Sequence, residues 1–180
     1  MPILRNHNNN LTLCWDGGPI GRKMSIAKPR LRPIKVAPSQ KREVRTQFGA
    51  LCYRIRQDKV QVLLITSRGT GRWIVPKGWP IGGQSPTTAA MQEAWEEAGV
   101  EGRVTGNCIG IYSYVKREEG EQLPCVVAIF PVEVRRLADR YPEAKQRRRK
   151  WFSLKKAAAL LGEPELAHIL EGFVPPGHGR

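Results

Sequence analysis

Gly78–Val100 reads GWPIGGQSPTTAAMQEAWEEAGV, and the local chemistry marks both ends of a helix within it. Ser85 is a natural N-cap, because its hydroxyl can accept from an otherwise unpaired N–H in the first turn. Pro86 suits the first helical position, where no N–H is needed. Gly99 supplies the left-handed residue that ends a helix. Between these ends Ala90, Ala94 and Ala98 recur every four residues and form a narrow apolar stripe, extended by Met91 and Trp95. Such a stripe lets a helix lie close to a sheet.

Glu93, Glu96 and Glu97 fall at i, i+3 and i+4, so one turn presents all three carboxylates on one face. Like charges at that spacing repel by a few tenths of a kcal/mol, and by more when partly buried. A divalent cation among them removes the repulsion, and hard oxygen ligands suit Mg²⁺, with Mn²⁺ as a substitute. The same run would also serve as the solvated face of a surface helix, so its surroundings decide. The helix follows PKGW and a loop containing Gly82–Gly83, where backbone can approach a metal or phosphate closely.

Outward from the helix, Phe48–Arg56 and Val60–Thr66 are apolar and β-branched and flank a polar turn at Gln57–Lys59, which predicts a hairpin. Trp73–Val75 is a short strand. Val104–Lys116 and Pro124–Arg135 are two more, joined by a charged loop, Arg117–Gln122. Asp139–Lys150 is polar and strongly basic. Ser153 caps a helix over Leu154–Leu161 ended by Gly162, and Pro164 opens a last helix reaching Gly172. Trp73 and Trp151 sit in apolar, strand-like patterns and are read as packing residues rather than stacking platforms. Strands on both sides of a central helix, with helices at the end, indicate an α+β or layered α/β/α domain.

Residues 1–43 lack any persistent period of 2 or 3.6 and read as a basic, disordered tail, with Met24 as an alternative start. The domain then spans 44–175, and 176–180 is a short C-terminal tail. Over 180 residues, 41% are hydrophobic and 26% charged, an ordinary globular mixture that can bury one core. The apolar runs are too short for a membrane helix and the N-terminus has no apolar leader pattern, so a soluble, cytoplasmic protein with no membrane partner is expected. Cys14, Cys52, Cys108 and Cys125 are too dispersed for a zinc site or a disulfide framework. The net charge of +14 points to a polyanionic partner, either a phosphorylated small molecule or nucleic acid.

The quoted stretch resembles the Nudix box: a Gly, five residues, Glu, seven residues, Arg-Glu, an aliphatic residue, any residue, Glu-Glu, any residue, Gly and an aliphatic residue. Gly78, Glu93, Ala94, Glu96, Glu97, Gly99 and Val100 are in register with it over all 23 positions. Gln84 and Gln92 replace the family's Glu and Arg, which brace loop against helix as an ion pair. Their amides can still share a hydrogen bond, worth about 1 kcal/mol net against about twice that for the charged version.

The resemblance extends over RTQFGALCYR, VQVLLITSRGTGRWIVPKG and RRRKWFSLKKAAALL, roughly residues 45–172, and is to the diphosphoinositol polyphosphate phosphohydrolase branch. It implies an α/β/α sandwich with a mixed central sheet and Mg²⁺-dependent cleavage of a diphosphate. Glu93, Glu97 and the Gly78 carbonyl would be metal ligands, and Glu96 the base that takes a proton from water. Arg45, Arg68, Lys77, Lys116 and Arg149 would hold the phosphates of a small polyphosphate, with Arg147–Lys150 as a clamp or a solvated basic loop. Two other readings remain. The altered box suits a nucleotide-binding or regulatory module with little turnover. The basic tail and RRRK suit an RNA 5′-pyrophosphohydrolase or RNA-binding protein, although no RRM or KH pattern is present. Oligomeric state is not legible.

Overall fold

The computed structural model describes residues 3–7, 10–14, 44–118 and 121–177. The chain divides into two compact units, Met1–Lys35 and Val36–Arg180. In the first, β1 (Ile3–His7) pairs antiparallel with β2 (Asn10–Cys14), where the sequence patterning indicated no regular element. The basic KPRLRPIK segment lies outside the described residues, as do residues 178–180.

The second unit is built on one mixed sheet. β3 (Arg45–Arg56) and β4 (Lys59–Thr66) form the expected hairpin. Gln57 and Asp58 both take positive φ, at 50° and 55°, the twist a two-residue hairpin turn requires and one that Asp tolerates. β9 (Glu121–Leu137) lies parallel to β3, from Arg45 opposite Cys125 to Tyr53 opposite Glu133. β10 (Arg149–Ser153) pairs with the free edge of β4, and β7 (Val100–Val104) with the far half of β9. The short β5 (Trp73–Ile74) and β6 (Lys77–Gly78) pair with β4 and β3, and β8 (Gly110–Glu118) with the near half of β9.

Three boundaries differ from expectation. The single strand expected over Val104–Lys116 is two, β7 and β8, because Thr105-Gly106-Asn107 supplies a turn between them. The charged segment Arg117–Gln122 is not an open loop, since pairing continues through Arg117–Gln122 to Glu118–Glu121. β10 was not foreseen, because only Trp151 and Phe152 break its polar composition.

Period-2 alternation sorts the core into two layers. Leu51, Tyr53, Val62, Leu64, Val127 and Ile129 face α2 (Leu154–Leu160) and α3 (Pro164–Glu171). Their neighbours Ala50, Cys52, Leu63, Ile65, Phe130 and Val132 face α1 (Pro86–Ala98). Helices cover both faces of a mixed sheet, an α/β/α sandwich. Each fully buried large apolar side chain contributes roughly 1.5–3 kcal/mol, an upper bound for a compact unfolded chain. Cys52, Cys108 and Cys125 are free thiols. Among the described residues no helix is long and apolar enough to cross a membrane.

Candidate active site

The caps of α1 form as its sequence dictates. Ser85 is extended and its Oγ accepts from the Thr88 N–H at 3.2 Å. Gly99 has φ 63°, and its N–H donates to the Trp95 carbonyl at 2.8 Å. A Cβ at Gly99 would meet Tyr141 at 2.6 Å and the Ala138 carbonyl at 2.9 Å, so sterics as well as backbone require glycine. Ala90, Ala94 and Ala98 are fully buried against the sheet and set the rotation of the helix. Met91 packs beside them, but Trp95 is 36% exposed and does not extend the stripe.

That rotation turns the three carboxylates into a cleft of about 720 Å³. Glu93, Glu96 and Glu97 line it together with Glu143. Arg68, Lys77, Lys116 and Arg117 also line it. Glu93 lies against Gly78, where any Cβ would overlap its carboxylate. Burial, reinforced by Glu97, Glu96 and Glu143, pushes the Glu93 carboxyl up to about 7.

Glu97 is 7% exposed. Its Oε2 accepts the Lys77 backbone N–H at 3.0 Å, and its Oε1 is paired with the Arg147 guanidinium. Burial raises its pKa, and Arg147 and the Lys77 N–H oppose the rise. Glu96 accepts from the Gln92 amide at 2.8 Å. The observed Gln92 contact therefore runs along the helix rather than back to Gln84. The Glu96 carbonyl accepts the Glu143 N–H at 3.0 Å, which holds the loop before β10 over the helix.

Seven of the nine predicted site residues share this cleft: Gly78, Glu93, Glu96, Glu97, Arg68, Lys77 and Lys116. Lys77 Nζ lies 5.1 Å from the Tyr114 ring centre, and Lys116 Nζ 5.1 Å from that of Trp79. Burial lowers the pKa of the Lys77 ammonium, opposed by Glu97. Arg68 remains largely exposed, with one contact to Glu143 at 3.3 Å.

Arg45 and Arg149 do not line the cleft. Arg45 is exposed at the start of β3. Arg149 donates to the Ala98 carbonyl at 2.7 Å and stacks 4.8 Å from the centre of the Tyr141 ring, so it caps α1. Nor is Arg147–Lys150 an open clamp, since Arg147 is buried and Lys150 lies over Phe152. Glu143 was missed, although it is the lone acid in the basic stretch Arg140–Lys150. Tyr114, which donates to Gln47 at 2.7 Å in the wall of the cleft, left no signal beyond its strand pattern.

The donor set suits a hard cation: four carboxylates in one cleft, one of them with a strongly raised pKa. Among the described residues no three acidic, His or Cys side chains form a ready-made cage.

Comparison with known proteins agrees with this geometry. The NUDIX domain family matches residues 45–173. Diphosphoinositol polyphosphate phosphohydrolase 3-alpha of Mus musculus is 29% identical over 147 residues, covering 77% of this chain and 86% of that protein. Two solved structures share the fold. A NUDIX hydrolase from Nitrosomonas europaea has TM-score 0.56 and 23% identity, over 72% of this chain and 87% of that one. The C. elegans Ap4A hydrolase has TM-score 0.52 and 20% identity, over 71% and 94%. With the box on a capped helix, its carboxylates in a basic-rimmed cleft and the family match over most of its length, the chain belongs to the Nudix family of pyrophosphohydrolases and resembles its diphosphoinositol polyphosphate phosphohydrolase branch.

Proposed function

We propose that this enzyme hydrolyses the diphosphate linkage of a small, highly phosphorylated substrate with Mg²⁺, a diphosphoinositol polyphosphate or a dinucleoside polyphosphate being the substrate class. The observation that carries this is a single cleft in which the carboxylates of α1 meet Arg68, Lys77, Lys116 and Arg117. A metal and a polyanion need that combination: acids for the cation and cations for the remaining phosphates.

Glu93, Glu97 and the Gly78 carbonyl would hold Mg²⁺, with Mn²⁺ able to replace it. When bound, the metal neutralises phosphate oxygens and acidifies water. Glu96 accepts the proton of the attacking water, and its hydrogen bond from Gln92 at 2.8 Å fixes which way the carboxylate points. Arg68 offers a planar fork to phosphate at the open rim, and Lys77 a point charge deeper in. Glu143, held over α1 through the Glu96 carbonyl, adds a fourth acid to the cleft.

The test is a panel of diphosphoinositol polyphosphate, diadenosine polyphosphates, ADP-ribose, nucleoside triphosphates and 5′-triphosphorylated RNA, with and without Mg²⁺, beside Glu97→Gln. Metal-dependent release of phosphate or nucleotide, lost in the variant, is expected with the first two classes. Preference for RNA would move the substrate to the RNA branch. No turnover of any compound by folded protein would leave a binding module.

A further inference from the structure

We propose that Arg147 is the positioning residue of the catalytic helix: a guanidinium supplied from the loop before β10 that holds Glu97, where the helix itself carries the neutral Gln92. This rests on the hydrolase reading given above.

Three observations meet at this side chain. Arg147 reaches the wall of the cleft but is only 8% exposed, and all three of its nitrogens already have protein acceptors, so it is placed to hold the acids rather than to receive an incoming phosphate. Each of its three nitrogens has a partner. Nη2 pairs with Glu97 on α1, Nε with Glu143 in its own loop, and Nη1 donates to the Thr66 carbonyl at the end of β4 at 2.9 Å. Its base is stitched to the same strand, since the Arg148 N–H donates to Thr66 Oγ1 and the Thr66 N–H to the Arg148 carbonyl, each at 2.9 Å.

A planar guanidinium gripped at three points fixes a carboxylate's position and plane, which a flexible ammonium does not. The Lys77 backbone N–H then takes the other Glu97 oxygen at 3.0 Å, so both carboxylate oxygens have fixed donors. Gln92 reaches only Glu96, with no charge of its own. The carboxylate cluster of α1 thus keeps one arginine, attached from outside the helix. Through the same side chain the loop carrying Glu143 is tied to α1, so one residue sets two acids of the cleft.

The experiment compares wild type with Arg147→Met and Arg147→Lys in steady-state hydrolysis of the compound wild type prefers, and in thermal melting without metal or substrate. Arg147→Met is expected to lower kcat by about 10- to 100-fold, the loss typical of a displaced catalytic group, with KM within about twofold. Arg147→Lys, which keeps the charge and so guards against simple misfolding, falls between. A rise in KM exceeding the fall in kcat would overturn the proposal in favour of a phosphate contact. Unchanged kcat and KM in folded variants would reduce Arg147 to a structural ion pair and overturn it too. The melting arm needs no activity: Glu97→Gln/Arg147→Met should melt above Arg147→Met, because the neutral amide no longer needs the cation. A double variant melting no higher would show that the two groups are not coupled. If wild type cleaves nothing, the proposed function fails while the melting arm still judges the Arg147–Glu97 pair.

Discussion

Glu93 sits in an environment unfavourable to its charge. Burial and the neighbouring carboxylates of Glu97, Glu96 and Glu143 raise it from 4.5 to about 7, with Lys77 opposing. The fold therefore prefers its neutral form. In metal-free protein its contribution to stability is fully present below 4.5 and is lost as pH rises through about 7. In chelator, the melting temperature of wild type should fall across that window relative to Glu93→Gln. A flat difference between the two would mean that the site holds an ionised Glu93 without strain. The identity of such residues was legible, because three glutamates at helical spacing share a face whatever the rest of the chain does. Their partners were not. Glu97 meets Arg147 across 50 residues of chain, and no local pattern records that meeting.

Among the elements, α1 shows why local chemistry can be read and tertiary contact cannot. Ser85, Pro86 and Gly99 mark its ends by rules that act within one turn, and the structure places the helix between them. Its alanine stripe also gave the buried face correctly. Trp95 did not follow, because a residue flanking a narrow stripe is buried only if the sheet extends beneath it. β10 escaped for a related reason: it is a strand because β4 has an edge to offer, and Arg149 and Lys150 conceal it. The same strand brings Arg149 to the end of α1, where its charge meets the exposed carbonyls of the helix terminus. Arg149→Met should therefore cost about 1–2 kcal/mol of stability, from one charge-assisted hydrogen bond and its stacking on Tyr141, measured by urea unfolding. KM should stay within about twofold of wild type. A large rise in KM with unchanged stability would return Arg149 to the phosphate site.

At the scale of the molecule, a chain of net charge +14 carries a cleft that itself holds four acids. Long-range attraction and local repulsion thus act together on a polyanion. Salt screens the first much more than the second, because the buried groups are shielded from mobile ions. KM for a polyphosphate should rise about three- to tenfold between about 0.05 and 0.3 M salt, with kcat nearly constant. A kcat that falls in step would place the salt-sensitive charges at the reacting phosphate instead.

The parallel pairing of β3 with β9 also bears on how the chain reaches this structure. Arg45 finds Cys125 only after about 80 intervening residues, and β7 and β8 join the sheet only through β9. During synthesis the β3–β4 hairpin emerges early with both outer edges open, and β9, the partner of β3, follows only after α1, β7 and β8 have been made, with β10 later still. Contacts this distant in sequence make for slow folding, and an unpaired edge invites association with other chains. The nascent protein is thus most exposed to misassembly in the interval before residue 133 leaves the ribosome. The central strand that organises the finished enzyme is, for that interval, its most adhesive surface.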